Sequence, residues 1–116
     1  MIKKLLLFTC LFLTLNSYSQ ELKMHQATYG VWNSKSNKYD YEDVLNKNLT
    51  FNLSDCKISV NDGFNSNYSI KKVVENSDDI FKVSCLDNFS KKCVVVYYRK
   101  CHCLRIFYND MVFVYN

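Results

Sequence analysis

Residues 81–116 read FKVSCLDNFSKKCVVVYYRKCHCLRIFYNDMVFVYN, and this stretch decides the fold. Its apolar residues alternate with a period of two, interrupted at polar clusters that suit tight turns. Setting Cys85 opposite Cys93 puts Val83 across from Val95 and Phe81 across from Tyr97. A turn at Arg99–His102 then sets Tyr97 against Leu104, Val95 against Ile106 and Cys93 against Tyr108. A two-residue loop at Asn109–Asp110 brings Tyr108, Ile106 and Leu104 opposite Met111, Phe113 and Tyr115. One register choice per turn gathers the large residues of one parity on a single face, as a half-buried antiparallel sheet requires.

Upstream, Leu49, Phe51 and Leu53 alternate, and so do Cys56, Ile58 and Val60. A two-residue turn at Ser54–Asp55 predicts Leu53 opposite Cys56, Phe51 opposite Ile58 and Leu49 opposite Val60. Asn61-Asp62-Gly63 is the next turn, because Asp and especially Gly tolerate positive φ. Tyr68 and Ile70 continue the sheet, and the adjacent Val73 and Val74 break parity, which predicts a bulge near Lys71–Lys72. Asn76–Asp79 turns the chain back into Ile80. Before all of this, Glu21–Trp32 alternates without a cleanly apolar face, Asn33–Asn37 reads as a loop, and Tyr39–Tyr41 reads as a short strand. The expectation is a single all-β domain at residues 20–116. It is a small antiparallel meander of seven to eight short strands, closed as a compact barrel or folded as a two-layer sandwich.

Residues 1–19 carry a different pattern. Lys3 and Lys4 precede an apolar run from Leu5 to Leu15, and Ser17-Tyr18-Ser19 offers small residues for a signal peptidase. This predicts a cleaved secretory signal peptide and a secreted or periplasmic product. The run is short for a membrane span. Leu7-Phe8-Thr9-Cys10 loosely resembles a lipobox, so a lipid anchor at Cys10 is the competing reading. The absence of proline, the asparagine-rich composition and the form of the leader point to a bacterial source with AT-rich codons.

Removing residues 1–19 from the 116 leaves 97, enough for one core and not two. That remainder holds 13 of the 15 basic residues against all 11 acidic ones, and so near balance a charge argues against a nucleic-acid partner.

Five of the six cysteines follow residue 19: Cys56, Cys85, Cys93, Cys101 and Cys103. In an exported chain they are disulfide candidates, with Cys85–Cys93 the natural first pair and Cys56 bridging to Cys101 or Cys103 the second. Cys101-His102-Cys103 lacks the spacing of a structural zinc site, and an extended backbone turns His102 away from both cysteines, so no metal and no cofactor is expected. The two histidines, His25 and His102, complete no triad, and no acid falls on the core parity. No catalytic residue is proposed, and an enzyme is not the expected reading.

Two surfaces invite a partner. Val94, Val96, Tyr98, Phe107, Val112 and Val114 have the parity opposite to the core and form an apolar patch on the second face of the C-terminal strands. Either the segment bearing Tyr29, Trp32, Tyr39 and Tyr41 covers this patch, or it serves a homodimer or another protein. Tyr29, Trp32, Tyr39 and Tyr41 are themselves the best aromatic cluster for binding.

Gly30-Val31-Trp32 resembles the G-x-W near the first strand of lipocalin-type barrels. The resemblance implies a cup-shaped barrel with a small apolar ligand, Trp32 closing its base and Arg105 packing over that tryptophan. It covers three residues of the chain. The expected function is therefore a noncovalent binding or structural module. The alternatives are a calycin-like carrier of an apolar ligand and a secreted inhibitor or toxin acting on a protein.

Overall fold

Alternation of this kind has one economical outcome in a short chain: successive hairpins whose apolar faces turn inward until the last strand meets the first. The computed structural model describes residues 20–54, 56–64 and 66–116, so the expected leader at 1–19 lies outside the described residues. Nine strands follow one another, β1 (Gln20–Asn33), β2 (Lys38–Tyr41), β3 (Leu45–Leu53), β4 (Lys57–Val60), β5 (Ser66–Asn76), β6 (Ile80–Leu86), β7 (Lys92–Tyr98), β8 (Cys103–Phe107) and β9 (Met111–Tyr115). All pairings are antiparallel, and β1 pairs with β9 as well as with β3. The sheet is thus a closed up-and-down barrel and not a sandwich. β2 stands outside the closed ring. It shares one edge of β1 with β3, taking Gly30–Asn33 while β3 takes the first half of the strand.

The C-terminal registers are those derived from the sequence, from Cys85↔Cys93 through Val95↔Ile106 to Ile106↔Phe113. The hairpin of β3 and β4 differs. Phe51 faces Val60 and Leu53 faces Ile58, two residues away from the expected pairing. The turn sits one residue later than expected: the Ser54 backbone N–H donates to the Lys57 carbonyl at 3.0 Å and its hydroxyl does so at 2.9 Å, which leaves two residues between them. Parity survives this shift, but Cys56 moves out of the expected core face into an exposed turn.

β1 shows why its sequence looked ambiguous. His25 and Gln26 both donate backbone N–H groups to the Asn116 carbonyl, at 2.6 and 3.0 Å. Two residues opposing one is a β-bulge, and it exchanges the two faces of the strand. Leu22 and Met24 point into the core before it, whereas Ala27 packs against the core after it. In β5 the parity break read at Val73–Val74 is likewise accompanied by register shifts between Ile70 and Lys72 and between Val73 and Glu75.

Eight strands enclose a space about wide enough for side chains alone. Here Phe51, Met24, Ile58, Leu104, Ile106, Val83 and Val95 fill it and are fully buried. The Phe51 ring meets Tyr115 edge to face at 4.8 Å. The interior is a packed core and not the cup that the G-x-W resemblance implied.

Candidate functional site

In an up-and-down barrel alternate turns fall at the same end. The lower end carries the β3–β4, β5–β6 and β7–β8 turns, and side chains stitch it shut. Arg99 Nε donates to the Ser77 carbonyl at 3.0 Å, and its guanidinium donates to Asn76 Oδ1 at 2.8 Å. His102, held at φ 51°, reaches across to β1. Its Nε2 lies 2.9 Å from the Lys23 carbonyl and its Nδ1 lies 2.9 Å from the Tyr97 hydroxyl. A carbonyl only accepts, so Nε2 carries the proton and Nδ1 accepts from Tyr97.

The upper end carries the β4–β5, β6–β7 and β8–β9 turns and is open. Each of these turns holds an aspartate: Asp62, Asp87 and Asp110. Asp62 caps its turn by accepting the Phe64 N–H at 2.9 Å and the Ser66 hydroxyl at 2.6 Å. Asp87 accepts the N–H groups of Phe89 and Lys91, each at 2.9 Å, and the Tyr108 hydroxyl at 2.8 Å. Asn88 Oδ1 accepts the Asn67 N–H at 2.6 Å, so the β6–β7 loop is fixed to β5 on one side and to the end of β8 on the other.

Between these turns lies an inner cleft of about 280 Å3, floored by Tyr68, Tyr108, Phe113 and Tyr115 and bordered by Asp62 and Asp87. Phe64 and Phe89 line it from the loop tips, yet they are 82% and 83% exposed. A wider cleft of about 730 Å3 shares Asp87, Phe89, Tyr108 and Phe113 with it and is also lined by Lys91, Lys92 and Asp110. Tyr108 and Phe113 meet edge to face at 6.0 Å, which fixes the orientation of both rings.

The electrostatics follow from these contacts. Burial works to raise the Asp87 carboxyl, but the Lys91 N–H, the Tyr108 hydroxyl and the Phe89 N–H outweigh it and hold the group below its ordinary value. Asp62 is likewise lowered against burial, by the Ser66 hydroxyl and the Phe64 N–H. Both are ionised at neutral pH. Burial pushes the phenols the other way: Tyr115 rises to about 12, and Tyr108 rises further because it is buried and donates to Asp87.

The residues singled out from the sequence lie elsewhere. Trp32 and Tyr39 meet edge to face at 5.1 Å, and Tyr39 lies 6.2 Å from Tyr41, all three on the outer side of the β1–β2 hairpin. Tyr29 is not with them, because it sits 6.2 Å from Phe113 on the opposite parity. Trp32 does not close a barrel base. Gly30 of the same motif lies under the Tyr41 ring, whose nearest atoms are 2.9 Å from where a Cβ would stand. Arg105 places its guanidinium over Tyr98, 5.6 Å from the ring centroid, and not over Trp32.

On the second face, Val96, Val112 and Val114 are buried, while Val94, Tyr98 and Phe107 are half-buried. Tyr39 packs against the cluster formed by Cys103, Val112 and Val114. The remainder forms a groove of about 390 Å3 lined by Val94, Val96, Tyr98 and Phe107 with Ile80, Glu75 and Lys82.

The cysteines correct an expectation. Cys56, Cys85, Cys93, Cys101 and Cys103 are all free thiols, so the disulfide-bonded reading does not hold. Cys85 and Cys93 do face one another across the sheet, but their sulfurs have separate partners. Cys85 Sγ lies 4.0 Å from the Val83 carbonyl, and Cys93 shares a hydrogen bond with Tyr108. Cys56 and Cys101 are exposed in turns of the lower end, and Cys103 is buried on the outer face. Among the described residues no group of three or more His, Cys, Asp or Glu side chains is arranged to hold a metal ion.

Sequence reading missed the mouth. It assigned Asp110 to a turn, which is where it lies, and Tyr108 and Phe113 to the core parity. The missing step was that alternate turns of a meander share an end, which brings three aspartates above one ring of aromatic residues. No family model matches the chain, no curated protein matches it, and no solved structure matches it. Fold and site together define a class, a closed antiparallel β-barrel suited to a small binding or structural role. No helix among the described residues is long and apolar enough to cross a membrane.

Proposed function

We propose that this chain is an exported, noncovalent binding module whose ligand seats in the mouth of the barrel and not in its interior. The carrying observation is the pair Phe64 and Phe89. Both are more than four-fifths exposed at loop tips, and both line one cleft over an ordered aromatic floor. Exposed large apolar groups that converge on a concave site with a few fixed polar groups are the usual features of a ligand pocket. The filled interior turns the calycin-like alternative into a carrier with a shallow seat. Export rests on the leader read at residues 1–19.

The test is a fragment screen by NMR on the labelled protein. Perturbed amides confined to residues 61–68, 87–92 and 108–115 support the reading. Perturbations confined to the lower end or to the outer face overturn it.

One observation favours a second reading, a protein partner on the outer face. The groove between Ile80 and Phe107 is apolar at its base and carries Glu75 and Lys82 at its rim, the arrangement of a small protein contact. Phe107→Ser weakens self-association or partner capture under this reading while leaving fragment binding at the mouth unchanged.

A further inference from the structure

The mouth is chemically one-sided, and that asymmetry names a ligand class. This inference rests on the reading of the mouth as a ligand site. The inner cleft is bordered by two carboxylates, Asp62 and Asp87, and among the described residues that line it none is basic. Its remaining walls are aromatic rings, chiefly Phe64, Tyr68, Phe89 and Tyr108. An aromatic face carries negative potential, so it attracts a cation without demanding the hydration that a hydrogen-bonded partner would. Carboxylates beside it add Coulombic attraction in a partly desolvated space. Lys91 and Lys92 line the adjoining cleft and not the inner one, although Lys91 acts on Asp87, which the two clefts share. A volume of about 280 Å3 suits a compact group and excludes a long acyl chain from this part of the site.

We propose that the inner cleft binds a small organic cation, an alkylammonium or quaternary ammonium group, between the rings of Phe64, Phe89 and Tyr108 and the carboxylates of Asp62 and Asp87. An anion is repelled by both aspartates, and a neutral group of the same shape gains the aromatic contact alone. Each aspartate is already saturated on its turn side by backbone and hydroxyl donors. The cation therefore adds a charge contact without having to order the carboxylates. Among the aromatic walls of the cleft, Phe64 and Phe89 are the ones that stand in solvent, and covering them is the change that binding brings.

The experiment titrates the full chain with choline and, in parallel, with its neutral isostere 3,3-dimethylbutan-1-ol, following amide shifts and heat. Choline is expected to saturate shifts at Phe64, Asp87 and Phe89, with the isostere at least about 10-fold weaker. Asp62→Asn and Asp87→Asn each weaken choline about 10-fold and the isostere by less, so the ratio of choline to isostere affinity falls. Phe64→Ala and Phe89→Ala weaken both ligands. These two residues are so exposed that their removal does not threaten the fold, which the amide spectrum verifies. Equal affinity for choline and isostere at the mouth overturns the cation assignment and leaves the mouth reading standing. So does isostere binding without choline binding. If neither perturbs the mouth of a folded protein, the cation assignment falls, and the fragment screen decides the mouth reading separately.

Discussion

Single residues show where sequence reading reaches and where it stops. The core residues were legible because a period of two names a face whatever the register. Cys56 was not, since its place depends on whether the two-residue turn begins at position 54 or 55, and the hydrogen bonds from Ser54 to Lys57 set the latter. The five thiols now make a specific prediction. Burial, with Cys93 alongside, pushes Cys85 to about 12. Burial also pushes Cys93 to about 11 against the opposing effect of its Tyr108 hydrogen bond. Both remain protonated and unreactive at neutral pH. A thiol reagent added to the native protein is expected to modify Cys56 and Cys101 rapidly. Cys85, Cys93 and Cys103 should react only after denaturant is added, and mass spectrometry of the labelled peptides checks this. Core truncation gives the second prediction. Phe51 is fully buried and meets the Tyr115 ring edge to face. Phe51→Ala is therefore expected to cost about 3–5 kcal/mol in chemical denaturation.

At the scale of elements, the hairpins of the C-terminal half were legible because each turn is short and both flanking strands alternate. β1 was not legible, because its bulge is imposed by the carbonyl of Asn116, far away in sequence. Local pattern cannot carry that information. Nor could it assign His102, which completes neither a zinc site nor a triad in the sequence and is a clasp between the β7–β8 turn and β1. Removing the clasp leaves the Tyr97 hydroxyl and the Lys23 carbonyl to water. His102→Ala is expected to lose about 1–2 kcal/mol in urea denaturation, in line with about 1 kcal/mol for each hydrogen bond. Amides of the lower turns should exchange faster while those of the mouth keep their protection. Equal loosening at both ends would show that the lower clasp does not act locally.

For the whole molecule, the sequence left barrel and sandwich open because closure is a relation between the first and last strands, which no window of residues contains. The closed form sets the pH dependence. The carboxyls of Asp62 and Asp87 are lowered from 3.8 in the folded chain, so their stabilisation is present above that value and lost as pH falls below it. The thiols and phenols have the opposite sign. Cys85 and Cys93 are raised from 9.0, and Tyr115 from 10.0 to about 12. Their stabilisation is complete below the unfolded values and disappears as pH climbs through the folded ones. The melting temperature is expected to hold a plateau between about pH 5 and 8, fall below about pH 4, and fall again above about pH 9. The phenolates of Tyr68, Tyr108 and Tyr115 should then form in a cooperative step together with unfolding, and a gradual, independent titration of these three would contradict their burial.

The pairing of β1 with β9 also governs time. β1 emerges from the ribosome first and β9 after every other strand, so the ring cannot close on a growing chain. Until it does, β1 and β8 each present an unpaired edge, the state in which strands recruit other chains. Contacts so distant in sequence also make for slow folding. A chain held open in this way is easily lost to aggregation. Its safest course is to have its final five-residue strand delivered promptly.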